Sequence, residues 1–461
     1  MSESFLGIDL GTSSVKALKT DENGNRSKTR CFYPCAGPDG WLSAVREALR
    51  GIDTADIAAV GLSSQVGTYV VNGKDVFAWS DAVGKEELDG LLAEFPQEVF
   101  VRETGMPHPQ IISYPLPRLM FFKKKYGSAL RGVCQPKELL TEFLTGKKVG
   151  DCFSYRGLAD AQSCTYSGFL LSSVGVDPSV LPPLVRPEDP VGTVSEAVAA
   201  ETGLRAGIPV YAGMNDFYCS LLGMGIRDCG DVFDITGTSE HFGILESGLR
   251  TDTKLVSSPY PGGYVHYGVT GASGKSLYFG ESNFGSADFS GPGIVKNSPV
   301  FLPYIGGERA PLFDPDASGV FFGIGDRCGK NELAYSVKEG VAFSIVHIAR
   351  NLGLSGIRSV RVVGGAAADP VLNTVKATHL GCDIEICSES DASALGAAVI
   401  AACGSGYFSG RDEAVKKLCG TSGTVRPVPE LRGVLEEKFS IYLSLYPLLK
   451  QPFGALKEFV K

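Results

Sequence analysis

A short pattern occurs twice in this chain, and it leaves few folds open. Near the start the residues run Ile8-Asp9-Leu10-Gly11-Thr12-Ser13, and half a chain later Asp234-Ile235-Thr236-Gly237-Thr238-Ser239. Each copy lies between two strand-like runs, so each reads as a hairpin turning on Gly-Thr-Ser. Two halves that open alike point to a duplicated domain. The 461 residues exceed what one hydrophobic core supports, and the expected division is 1–225 and 226–461.

The coarse element pattern is mixed α/β. Residues 5–21 read as two strands, with Val15 and Ala17 alternating against Lys16 and Lys19. Helical spacing follows over 41–49, a buried parallel strand over 57–62, and a hairpin over 68–79 turning at Asn72-Gly73. Pro136 opens a helix that Gly146 closes. Five prolines make 177–190 an irregular crossing, and 208–212 is a strand. Asn331 is expected to cap a long helix carrying Leu333, Val337, Val341, Ile345 and Ile348. A strand over 360–363 and a small-residue helix from Ser390 or Asp391 to Ala402 complete the pattern.

Formal net charge is −8, and no basic block exceeds Lys123-Lys124-Lys125. This argues against nucleic acid or an anionic membrane as partner. Twelve cysteines carry no CxxC or metal-ligand spacing, which suits a reduced compartment. No basic leader precedes the first strand, and the longest apolar run, 394–403, is far short of the ~18 residues of a membrane span. The expected setting is soluble and cytoplasmic.

A turn of Gly11, Thr12 and Ser13 offers amides and hydroxyls with no bulky side chain in the way, so it can wrap phosphate oxygens. The same holds for Gly237, Thr238 and Ser239. Asp9 has Ile235 at its matching place in the second copy. A carboxylate beside a phosphate turn calls for a cation between them, so Asp9 points to Mg²⁺. Lys16 on the next strand adds positive charge. Asp216 follows the strand 208–212, at the strand end where α/β sheets hold ligands. There it can serve as general base toward an attacking hydroxyl, or simply cap the helix that follows. Gly364-Gly365-Ala366 ends another strand and offers flat backbone to a ring or a phosphate.

Together these segments resemble the FGGY carbohydrate kinases, the family of xylulokinase, ribulokinase, sedoheptulokinase and glycerol kinase. The resemblance covers nearly the whole chain. It rests on Asp9 to Ser14, Gly61-Leu62-Ser63-Ser64-Gln65, Leu144-Thr145-Gly146 with Asp151, Gly213 to Asp216, Gly237 to Ser239, Gly307-Glu308-Arg309-Ala310-Pro311, Gly364 to Ala367, and Ala394 to Ala398. It implies two actin-like, ribonuclease-H-like domains flanking a central cleft, and ATP-dependent phosphorylation of a ketose or polyol, with a pentulose or heptulose favoured. It further implies Mg²⁺ at Asp9 and Asp216 as base. Nucleotide phosphates would meet Gly11, Thr12, Ser13, Lys16, Gly237, Thr238 and Ser239, and adenosine would meet Gly364, Gly365, Ala366 and Asp369. Sugar would meet Ser64, Gln65, Trp79, Asp81, Asn215 and Asp216.

The sugar side departs from the xylulokinase pattern. Val66-Gly67 stand where Met-His is usual, and Val83 where an Arg closes Trp-x-Asp-x-Arg. These changes point to a longer or less polar substrate. The other class of reading is a non-catalytic sugar- or nucleotide-binding regulator on the same fold, which would have no need of both carboxylates and both turns. Oligomeric state stays open, a homodimer included.

Overall fold

A computed structural model describes residues 3–251, 255–288 and 291–459. Its chain forms two compact units. The first begins with strands β1 (Ser4–Leu10), β2 (Ser14–Asp21) and β3 (Arg26–Phe32), followed by helix α1 (Pro38–Arg50) and strand β4 (Ile57–Ser64). Strands β5 (Pro190–Thr193) and β6 (Pro209–Asn215) complete a six-stranded sheet in the order β5-β6-β4-β1-β2-β3. The three N-terminal strands are antiparallel, whereas β1, β4 and β6 run parallel. Every residue of β1 is buried, as a parallel strand covered on both faces requires. Leu6, Ile8, Val45, Leu49, Val60, Leu62 and Val210 form its core with helix α2 (Pro136–Thr145). The hairpin at Asn72-Gly73 is present, with strands at 69–71 and 75–77. In α2 the Gln135–Glu138 capping box and left-handed Gly146 set the two ends.

Helix α3 (Asp216–Gly223) precedes the second unit in the chain, and the sheet there repeats the strand order and directions of the first. Strand β7 (Val232–Thr236) pairs antiparallel with β8 (His241–Glu246) and parallel with β9 (Ser359–Gly364). Strand β10 (Asp383–Cys387) pairs parallel with β9 and antiparallel with β11 (Thr421–Val425). So β8-β7-β9-β10-β11 reproduces β2-β1-β4-β6-β5, strand for strand. The repeated Gly-Thr-Ser turn marks the same corner in both sheets. Helices α4 (Ser273–Phe284), α5 (Lys330–Asn351) and α6 (Pro370–Leu380) belong to this unit. Gly329, not Asn331, caps α5; the Asn331 side chain instead bonds the backbone of Asp288 in both directions.

The boundary between the units is not one cut in the sequence. Residues 1–227, 257–264 and 391–420 make the first unit, and 228–256, 265–390 and 421–461 the second. Sequence division had assigned 391–420 to the second half. Those residues hold helix α7 (Ala392–Gly404), in which Ala392 through Ala402 are all buried. A helix apolar on every side needs partners all round, and it finds them in the first unit at backbone contact distance. A Cβ on Gly7 of β1 would stand 1.8 Å from the Ala394 carbonyl oxygen. One on Gly396 would stand 1.9 Å from that of Cys219. All twelve cysteines are free, and no helix among the described residues is long and apolar enough to cross a membrane.

Candidate active site

In the first unit the end of β1 carries Asp9, almost fully buried. Its Oδ1 accepts the Ser63 hydroxyl at 2.8 Å and its Oδ2 the Ser393 hydroxyl at 2.6 Å. Lys16 Nζ lies 3.8 Å from Asp9 and 3.4 Å from Asp391. Asp391 also binds Lys28 and Arg30, and these cations hold its carboxyl below the usual range against burial. The hairpin closes through Gly11 N donating to Ser14 O, leaving Thr12 and Ser13 exposed at the corner. Tyr33 Oη and Gln65 Nε2 both donate to the Gly11 carbonyl, which fixes the turn from below.

Asp216 is the first residue of α3, and the cap of that helix is Asn215, whose side chain accepts from Tyr218 N. The capping duty that would otherwise explain Asp216 is therefore taken by its neighbour. Strand β6 extends three residues beyond the expected Ala212 because of Gly213. Its φ is 66° and a Cβ there would meet the Leu62 carbonyl oxygen at 1.6 Å. The pairing with β4 shifts register between Tyr211 and Met214, a bulge that re-aims the strand end. The Asp216 carboxyl is pushed up to about 7, first by burial and then by the charge of Asp9. The Phe217 amide, Arg156 and Lys16 pull the other way. A carboxyl of that strength is half-ionised near neutral pH, as a general base needs.

The expected sugar residues divide. Asn215 adjoins Asp216 and its Nδ2 reaches the Phe153 carbonyl at 3.5 Å. Gln65 spends both ends of its amide inside the protein, on Gly11 and on Thr68. The Ser64 hydroxyl bonds the Gln65 carbonyl. Asp81 accepts the Ala78 amide, while Trp79 leaves 42% of its surface exposed. Sequence reading missed Arg118, a fully buried residue that donates to the carbonyls of Ala78, Asp81 and Ile112. An arginine thus does support the Trp79–Asp81 segment, although Val83 stands at the motif position. Missed too was Arg156, stacked over the rings of Tyr114 and Tyr218 at 5.2 and 5.6 Å.

In the second unit the expected phosphate and adenosine segments meet through Thr236. Its hydroxyl donates to Val363 O and accepts from Ala366 N, and its carbonyl accepts from Gly365 N. Gly364 has φ 112°, and a Cβ there would fall 1.9 Å from Thr236 O. Gly237 and Thr238 are exposed, and Gly274 N holds both their carbonyls at 3.0 and 3.1 Å. Asp369 caps α6 through Leu372 N and pairs with Lys338 at 2.6 Å. Both side chains line a recess with Leu277, Gly280, Ala334 and Val337.

Two family descriptions account for most of the chain. "FGGY family of carbohydrate kinases, N-terminal domain" matches residues 39–223, and the C-terminal counterpart matches 233–405. This chain belongs to the FGGY carbohydrate kinases. A xylulose kinase of Bacillus subtilis is 25% identical over 99% of both chains. A gluconokinase of the same organism is 24% identical over all of this chain and 98% of its own. Among solved structures, a gluconate kinase from Lactobacillus acidophilus is 22% identical with a TM-score of 0.86, covering 99% of this chain and all of its own. A ligand-bound xylulose kinase from that organism is likewise 22% identical, with a TM-score of 0.85 over 98% and 100%. The fold is accordingly the two-domain, actin-like α/β fold of this family, and the activity class is ATP-dependent carbohydrate phosphorylation.

Proposed function

We propose that this FGGY kinase transfers the γ-phosphoryl group of ATP to a hydroxyl of a small ketose, with Asp216 as the general base. The observation that carries the assignment is the freedom of Asp216. Asn215 does the capping, the Gly213 bulge aims the strand end, and burial with Asp9 keeps the carboxyl near 7. Such a group accepts the hydroxyl proton as the oxygen attacks phosphorus, and it is re-ionised easily once product leaves.

Asp9 would hold Mg²⁺, which supplies charge neutralisation to the phosphates when bound. A carboxylate among hydroxyl donors, with oxygen lone pairs left over, is the hard-oxygen environment that ion takes. Lys16 and the exposed amides of Thr12 and Ser13 are assigned to phosphate oxygens, as is the turn Gly237–Ser239. Gly364, Gly365 and Ala366 are assigned to adenosine, with Asp369 and Lys338 beside them. Asn215, Trp79 and Asp81 are assigned to sugar hydroxyls, whereas Gln65 and Ser64 act by shaping the wall. Free cysteines and the ATP requirement suit the cytosol.

Arg156 favours a second reading of the substrate. Its charge reaches Asp216, and a cation beside the base suits an acid sugar such as an aldonate. Release of ADP with a panel of pentuloses, heptuloses, polyols and aldonates decides between the two. Turnover with a neutral ketulose supports the first, turnover confined to aldonates the second, and none with any sugar removes the ketose kinase proposal.

A further inference from the structure

Beneath the turn Gly237–Ser239 lies a cluster that no part of the reading above uses. Asp234 stands three residues before the turn on β7, and Glu240 directly follows it. Lys376 enters from α6, more than a hundred residues away in sequence. All three side chains are fully buried. Lys376 Nζ donates to Asp234 Oδ2 at 2.7 Å and to Glu240 Oε1. Glu240 Oε2 takes the Ser273 hydroxyl at 2.5 Å. Glu240 N donates to the Thr270 hydroxyl and Thr270 N to the Glu240 carbonyl, tying the same residue a second time. Ser273 opens α4 one residue before Gly274, whose amide holds the carbonyls of Gly237 and Thr238. The exposed turn therefore rests on buried charge, with both of its ends anchored to one ammonium group.

We propose that Lys376 is a positioning residue for the nucleotide phosphates, fixing the turn Gly237–Ser239 to α6 and offsetting the buried carboxyl groups beneath that turn. The proposal rests on the assignment of that turn to phosphate. Two carboxylates and one ammonium would leave a buried negative charge under a site meant for a polyanion. Burial, and then the neighbouring Glu240, push the Asp234 carboxyl well above the usual carboxylate range. The Lys376 ammonium, in contact with both carboxyl groups, offsets negative charge there. Remove the ammonium and the carboxylates lose both their clamp and their compensating charge, which a buried site tolerates badly. Lys376 also sits seven residues into the helix that Asp369 caps, so the clamp sets the turn in register with the adenosine segment ahead of α6.

The test compares the affinities of the full-length protein for ADP and for adenosine by calorimetry, with melting temperature measured alongside. Lys376→Met is expected to weaken ADP by about tenfold or more, the effect of losing a hydrogen bond to a charged group, while adenosine affinity stays put. Glu240→Gln keeps the side-chain volume and is expected to weaken ADP by about threefold in the same selective way. A purely structural role would lower melting temperature and weaken both ligands alike, which overturns the proposal, as does unchanged ADP affinity in folded Lys376→Met. Should that variant fail to fold, Glu240→Gln decides, and unchanged ADP affinity there is equally fatal. Thr238→Asp, at the exposed corner, separates the two levels of inference. If it weakens ADP and the cluster variants do not, only the role of Lys376 falls; if it has no effect, the phosphate assignment falls and takes the proposal with it.

Discussion

Asp216→Asn should produce an enzyme that is nearly dead and yet more stable than its parent at neutral and alkaline pH. The substitution keeps the shape and leaves an oxygen to accept the Phe217 amide, which Asp216 Oδ1 now takes at 2.8 Å. Helix α3 keeps its cap, since that is Asn215. What disappears is a carboxyl raised from an ordinary 3.8 to about 7. A displacement of that size means the ionised form is disfavoured in the fold by about 4 kcal/mol at most. Discounting for the solvent that reaches this partly open site and for the amide's own desolvation leaves about 1–2 kcal/mol. The sign follows from proton binding. Between the unfolded and folded values the native state binds more protons than the unfolded chain, so the wild type loses stability as pH rises toward 7 and no more beyond it. The melting advantage of the variant should therefore be small near pH 5 and level off above pH 7, at about 2–4 °C. Its single-turnover rate should fall by ~10²–10⁴ with ADP affinity retained, and wild-type kcat/KM should decline below about pH 7. A variant within a few-fold of wild-type rate, or one that melts lower at pH 8, would refute the reasoning.

Two further outcomes bear on the same frame. Asp9→Ala should raise the Mg²⁺ concentration needed for half-maximal turnover and lower its ceiling; a Mg²⁺ titration that keeps its midpoint at reduced rate assigns Asp9 to positioning instead. Gly7→Ala should cost more than about 3 kcal/mol in denaturant titration, because its Cβ would lie 1.8 Å from the Ala394 carbonyl oxygen and neither backbone can yield cheaply.

Much of the first layer was legible because it is local. Strand periodicity and the Gly-Thr-Ser turns located β1, β2, β7 and β8, and proline and glycine bracketed α2. What escaped depends on partners far along the chain. The all-apolar face of α7 says that the helix is buried but not in which unit. Asn331 has the chemistry of a cap, yet a loop more than forty residues away claims its side chain. Asp216 and Asn215 are both good caps on paper, and the hydrogen bond from Tyr218 N to the Asn215 side chain decides between them. The amide of Gln65 donates to the Gly11 carbonyl and accepts the Thr68 hydroxyl, contacts that its place in the sequence does not show. Lys376 looks like an ordinary helix lysine until Asp234 and Glu240 are seen facing it.

The late arrival of α7 has a consequence for biosynthesis. A ribosome releases residues 1–227 long before residues 391–420 exist, so the nascent first unit waits with its glycine-lined surfaces of β1 and α3 bare. The hydroxyl of Ser393 that steadies Asp9 arrives only then. Unlike a bead-on-a-string protein, whose leading domain matures during translation, this chain has to hold its opening segment unfinished until most of the message has been read. Fragments ending near residue 227 should for the same reason go to inclusion bodies, whereas supplying 391–420 as a separate peptide offers a route to completing them.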